Sequence, residues 1–186
     1  MMPLPGDERL PAVAEADFTP SQRRAAEEFV RRRRREVFGP FTPLLRSPEL
    51  MLAAEEMGGY LRYRSCLPAP VREFVILMVA HHWQQPFEWS VHHGEALSVG
   101  VEPRWIDAIA ADSGDACVAN GVFPAPVATA WVFVRELLRN RSVCDEVYEQ
   151  VRAQFGEVGV VDMIGLCGYY GLLAMVMNVA RTAPEP

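Results

Sequence analysis

The stretch REFVILMVAHHWQQPFEWSVHH, Arg72 to His93, decides how this chain reads. All four histidines, His81, His82, His92 and His93, fall inside it, together with Glu73, Trp83, Glu88 and Trp89. Its first half has helical periodicity, with Phe74, Leu77, Met78 and His81 at core spacing. Pro86 ends that helix, because proline keeps its predecessor out of the helical region and donates no backbone hydrogen bond. A second helix restarts at Pro86 and runs to about Val99, with Gly100 placed as the residue after its C-terminal cap. Groups able to move protons therefore crowd one helix-turn-helix passage, and chemistry is expected there.

Three residues of the passage fit one site. Glu88 and His92 lie four apart, about 40° from each other on one helical face, where side chains touch. Glu73 shares a mostly apolar stripe with Leu77 and Ala80 on the preceding helix. If the two helices pack antiparallel through these faces, Glu73, Glu88 and His92 converge. One carboxylate then orients the imidazole while the other exchanges a proton with substrate. Each residue also has a plain structural reading. Glu88 is the third residue of its helix, where acids complete caps and favour the dipole. His92 alone reads equally as a surface histidine, and Glu73 as a buried partner of Arg72. Four histidines and two acids raise the question of zinc or iron, but neither HExxH nor Glu-x-x-His occurs, so no metal is expected. Trp83, Trp89, Tyr169 and Tyr170 are candidates to wall a pocket, although core packing suits at least two of them.

Outward from this passage the chain reads as all-α, with about eight helices and no alternating run bounded by hairpin turns. Residues 1–17 hold three prolines and read as an extended N-terminal arm, disordered or lying across a neighbouring subunit. Residues 18–183 form the helical domain. Thr19-Pro20-Ser21 opens a first helix running to about Val37, and Gly39-Pro40 stops it. Phe41 to Leu45 is a connector, and Ser47 caps a second helix starting at Pro48. Beyond Gly100, helices are expected near 103–111, 126–139 and after Ser142, with Gly156-Glu157 leading into a long last one. Met163 to Ala180 carries no charge over eighteen residues, yet Asn178, three glycines and two tyrosines dilute it, which favours a buried or intersubunit helix over a membrane span. Gly165, Gly168 and Gly171 would let another helix approach closely.

Composition narrows the chemistry. The chain has 186 residues, enough for one domain, with 50% hydrophobic and 23% charged residues and a net charge of −6. Residues 1–64 hold 11 Arg against 10 acids and residues 65–186 hold 7 Arg against 14, so the acidity is C-terminal. All 18 basic residues are arginine, and without lysine there is no Schiff-base route. The run Arg31 to Arg35 spreads around a helix at about 100° per residue, with Glu27, Glu28 and Glu36 in pairing reach, so no nucleic-acid partner is expected. Cys66, Cys117, Cys144 and Cys167 form no CxxC pair, which removes dithiol redox and zinc-knuckle readings. With no charged-then-apolar leader, a reduced cytoplasmic setting without membrane contact is the expectation.

In this order and spacing, REFVILMVAHHW (72–83), QQPFEW (84–89) and VHHGEAL (91–97) resemble the carboxymuconolactone decarboxylase superfamily, which includes the AhpD-type alkylhydroperoxidases. The likeness extends through GPFTPLLRSPEL (39–50) and GYYGLLAMVMNVA (168–180) to cover roughly residues 18–183. It implies an AhpD-like helical bundle assembling as a homotrimer or homohexamer through its long helices. In the peroxidase branch a Cys-x-x-Cys pair stands between the glutamate matched by Glu73 and the histidine matched by His92. Here Gln85 and Glu88 occupy those two positions, so thiol peroxidase chemistry has no sulfur to use. Trp83, Glu88 and His92 match the decarboxylase-like branch instead. That branch implies a cofactor-independent lyase, with His92 donating a proton, Glu88 and Glu73 tuning it, and Trp83, Trp89, Gln85, Tyr169 and Tyr170 around a small carboxylated or lactone-like substrate. One departure is APVATAW (125–131), where relatives commonly carry acids. The alternative is a non-catalytic binding or assembly protein on the same fold.

Overall fold

The computed structural model describes residues 7–182 and is all-helical over them. Residues 1–6 of the arm and residue 183 lie outside the described range. The helices are α1 (Pro20–Arg33), α2 (Phe41–Leu44), α3 (Pro48–Tyr63), α4 (Ala69–His82), α5 (Pro86–Ser98), α6 (Pro103–Ala110), α7 (Gly114–Ala119), α8 (Ala125–Asn140) and α9 (Asp145–Ala180).

Proline punctuates this chain. It stands at the first or second position of α1, α3, α4, α5, α6 and α8, where a missing N–H costs nothing and the ring presets φ. At α1 it joins a capping box, in which Thr19 Oγ1 accepts from Gln22 N at 3.2 Å and Gln22 Oε1 accepts from Thr19 N at 2.9 Å.

The periodic helix α4 is the axis of the bundle. Every residue from Glu73 to Ala80 is buried, because α5, α6, α8 and α9 pack around it. Phe74 meets Phe123 at 5.3 Å and Trp131 at 6.3 Å between centroids on one side, an edge-on and tilted aromatic cluster. A second cluster, Phe29, Phe38 and Phe41, ties α1 to α2 with centroids 4.7–6.0 Å apart.

Differences from the sequence reading have local causes. The first helix stops at Arg33 instead of near Val37, since Arg34 turns left-handed (φ 58°) and sends the chain back toward α3. The connector 41–44 is a helical turn. The 114–124 loop contains α7, held by tertiary contact: Trp131 Nε1 donates to Asp115 Oδ1 at 2.9 Å. The expected break before the long last helix is a kink inside α9 at Gly156 (φ 73°, ψ 176°), a conformation that suits glycine. The N-terminal cap of α9 is Cys144, not the region of Ser142. The described part of the arm lies against its own chain: Arg9 N donates to Ala180 O at 2.8 Å, and Arg46 Nη2 to Pro11 O at 2.8 Å.

Among the described residues α9 is the one helix long and apolar enough to cross a membrane, and 61% of its most apolar window is buried within the bundle. Of its glycines, Gly165 and Gly171 are closely approached by Leu61 and Trp83 of the same chain, whereas Gly168 faces open space. Asp162 of α9 accepts from Tyr60 Oη (3.0 Å), Ser65 Oγ (2.7 Å) and Cys66 N (3.1 Å), fixing the α3–α4 turn.

Contact between α3 and α9 needs Gly58. A Cβ added there would stand 2.2 Å from the Tyr169 hydroxyl. Gly58→Ala is expected to cost about 1–3 kcal/mol through overpacking, read as a lower urea midpoint at unchanged m-value. An unchanged midpoint would show that the α3–α9 contact is looser than described.

Candidate functional site

The α4–α5 turn is built to present α5 at a fixed angle. Gln84 takes a left-handed conformation (φ 51°), and Gln85 N bonds back to Ala80 O at 2.9 Å. Gln85 then caps α5, its Oε1 accepting from Phe87 N at 2.7 Å. Its Nε2 donates to Asn178 Oδ1 at 2.9 Å, and Asn178 Nδ2 donates to Trp83 O at 2.9 Å. The turn is thus stapled to α9 by Asn178, which the sequence marked only as diluting an apolar run.

Across this turn the helices pack antiparallel, and the three residues meet. His92 Nδ1 lies 2.6 Å from Glu73 Oε2, and His92 Nε2 lies 3.4 Å from Glu88 Oε2. Exposures of 7% for Glu73, 3% for Glu88 and 3% for His92 put all three out of bulk water. Glu73 pairs with His92 and not with Arg72, whose Nη1 bonds to Leu67 O at 2.6 Å. The Tyr170 ring stands edge-on to the imidazole at 5.0 Å, and Tyr169 packs edge-on to Tyr170 at 5.1 Å.

Burial, the strongest influence, disfavours charge on His92. Hydrogen bonding to Glu73 and then to Glu88, with the charges of both, outweighs it and raises the His92 pKa to about 9. The resting imidazole is therefore protonated near neutrality, a donor and not a base. Its two N–H groups differ. The Nδ1 contact is short and fixes the ring, whereas the Nε2 contact is long for a hydrogen bond and leaves that proton available. Burial pushes the Tyr169 and Tyr170 phenols well above the ordinary tyrosine range, so both remain neutral O–H groups.

A cavity of about 40 Å³ opens beside this constellation, lined among others by Arg33, Arg62, Glu88, His92, Tyr169 and Tyr170. Glu88 and His92 face it, while Glu73 stands behind the imidazole. Trp83, Trp89 and Gln85 do not line it. Trp83 packs over Gly171, the Trp89 ring lies 6.0 Å from His81 and 6.5 Å from His93, and the amide of Gln85 is consumed by the turn. His81 and His82 line a separate cleft of about 240 Å³ with Arg135 and Arg139. No cysteine lines the His92 cavity, and burial pushes the Cys167 thiol up to about 12. Among the described residues no three His, Cys, Asp or Glu side chains are arranged to hold a metal ion.

Sequence reasoning missed Arg33 and Arg62. Arg33 belongs to the arginine run, whose expected partners were the nearby glutamates; Glu28 takes Arg31 and Arg32, but buried Glu55 of α3 takes Arg32 and Arg33. That long-range pairing has no local signal.

Residues 48–125 match the family model described as carboxymuconolactone decarboxylase family. The match runs from α3 to the first residue of α8 and contains the whole α4–α5 pair. Over these residues the family match agrees with the resemblance read from the sequence. No curated protein and no solved structure matches the chain.

The raised His92 pKa has a consequence for folding. A group at 6.5 in the unfolded chain and about 9 in the folded one adds stability that is full below pH 6.5 and lost as pH rises through 9. The unfolding free energy is expected to decline across that window, with a shallower decline in Glu73→Gln. Identical slopes in the two proteins, measured by urea denaturation at several pH values, would contradict the bond's electrostatic role.

Proposed function

We propose that the chain is a cofactor-independent acid–base enzyme resembling carboxymuconolactone decarboxylase, acting on a small carboxylated or lactone-like substrate. The observation that carries this reading is the buried imidazolium, pinned at Nδ1 by Glu73 and directing Nε2–H toward the cavity beside Glu88.

In such a decarboxylation the bond to the departing carboxylate breaks and its electron pair enters the conjugated lactone as a dienolate. CO2 leaves, and one proton is then needed at carbon. His92 Nε2–H supplies it, and the neutral imidazole that results remains held by Glu73. The protonated Tyr169 and Tyr170 hydroxyls belong to a wall with little water, where charge on the substrate is felt strongly. Glu88 stabilises the imidazolium before transfer and recovers a proton for it from solvent afterwards.

With a carboxylated unsaturated γ-lactone as substrate, His92→Asn and Glu88→Gln are each expected to lower kcat/KM about a hundred- to ten-thousand-fold, measured by CO2 release. Full activity in both variants would remove the site assignment.

For partners, we propose further copies of the chain besides the small molecule, in a reduced cytoplasmic setting. Val158, Val161, Ile164, Met175 and Val179 expose an apolar row along α9, more than an isolated helix keeps in water without a use. Light scattering is expected to give a trimer or a hexamer, and Val161→Glu with Ile164→Glu to dissociate it. A monomeric wild-type protein at micromolar concentration would refute self-association.

A further inference from the structure

The cavity beside His92 also has two arginines in its wall. Arg33 arrives from the end of α1 and Arg62 from the last turn of α3. Each is positioned with donors to spare. Arg33 is anchored through Nε to Glu55 Oε1 at 2.9 Å and through Nη2 to Glu55 O at 3.4 Å. A guanidinium has about five N–H donors, so these two bonds leave three. Glu55 is also shared with Arg32 at 3.0 Å, so one carboxylate holds two guanidiniums. Arg62 has a looser tie, an ion pair of 3.5 Å from Nη2 to the half-exposed Glu95, which water screens.

Charge at the cavity surface follows. Arg33, Arg62 and the His92 imidazolium line it against Glu88 alone, three positive groups to one negative. The carboxylates that balance them, Glu73 and Glu55, are behind the wall. A ligand entering thus meets a positive face with aromatic sides.

Decarboxylation chemistry decides which group belongs there. A carboxylate about to leave as CO2 is slowed by strong ionic contacts, because its charge is lost in the transition state and those contacts weaken with it. A pair of arginines therefore suits a carboxylate that stays on the substrate.

We propose that Arg33 and Arg62 form the anion-recognition pair of this pocket and bind a retained carboxylate, so that the substrate carries an anionic group besides the reacting one. This rests on the acid–base reading for the word substrate, but the binding claim stands apart from it. Arg33, which pairs with Glu55 of α3 and not along α1, thereby has a use: the third member of the arginine run reaches the site.

The test uses crotonate and its neutral isostere crotonamide as probes, with binding followed by NMR shifts of the full chain. Wild-type protein is expected to bind crotonate at least about tenfold more tightly than crotonamide, the discrimination that charge-assisted hydrogen bonds give. Arg62→Gln and Arg33→Gln should each remove most of that preference, and Arg62→Lys should restore part of it. Arg62 has no buried anchor, so its variants keep the test valid if Arg33→Gln unfolds, which thermal melting reports. Glu88→Gln should bind crotonate at least as tightly as wild type while failing in turnover, which separates this claim from proton transfer. No crotonate binding, equal binding of the two probes, or undiminished preference in Arg62→Gln would overturn the proposal.

Discussion

One hydrogen bond, 2.6 Å from Glu73 Oε2 to His92 Nδ1, organises this protein's interior. It joins the central helix to the helix packed most directly on it, and it places a charge pair where water does not reach. A buried carboxylate or imidazolium alone would be expensive; together, each removes the other's reason to neutralise. Everything nearby serves to hold the pair in register. Asn178 and Gln85 fix the turn, Gly58 admits the Tyr169 ring, and Tyr170 closes over the imidazole edge. Removing either partner would leave an orphaned polar group in the core, so stability depends on this contact, and the proposed chemistry would depend on it too.

The two carboxylates have different tasks. Glu73 makes the short bond and never reaches the cavity, which makes it a positioning residue. Glu88 makes the long contact and faces the cavity, which is the position the proposed acid–base role requires. The asymmetry directs one of the two imidazolium protons outward. A symmetric arrangement of two short bonds would hold both protons equally and release neither. Where the peroxidase branch that the sequence resembles has sulfur, this chain has an amide spent on a cap and a carboxylate at the cavity, and no cysteine lines that cavity.

Helices whose limits are written locally were legible in the sequence. Proline at the helix starts, the cap at Thr19 and the glycine at 156 announced their places, and the Glu88–His92 spacing with Glu73 in register announced which three residues meet. Features depending on distant contacts were not legible. Helix α7 exists because Trp131 and Asp115 meet across a loop. The end of α1 and the placement of Arg33 depend on Glu55, a residue in a different helix that looks like any other surface acid in sequence. Trp83 and Trp89 show the converse: aromatic character announced a wall, but helical phase turned the two rings toward Gly171 and toward His81 and His93 instead. His92 itself looked like a near-neutral proton carrier; against its burial, the bonds to Glu73 and then Glu88 raise it above that range.

Between its two carboxylates His92 is expected to rest as a doubly protonated imidazolium. The most direct measurement is a nitrogen-15 NMR titration of the histidine side chains, assigned by His92→Asn. Both His92 nitrogens are expected to be protonated at pH 7.5, with a single transition at about 9. A His92 that is neutral at pH 7.5, or that titrates at or below the ordinary histidine value of about 6.5, would contradict it.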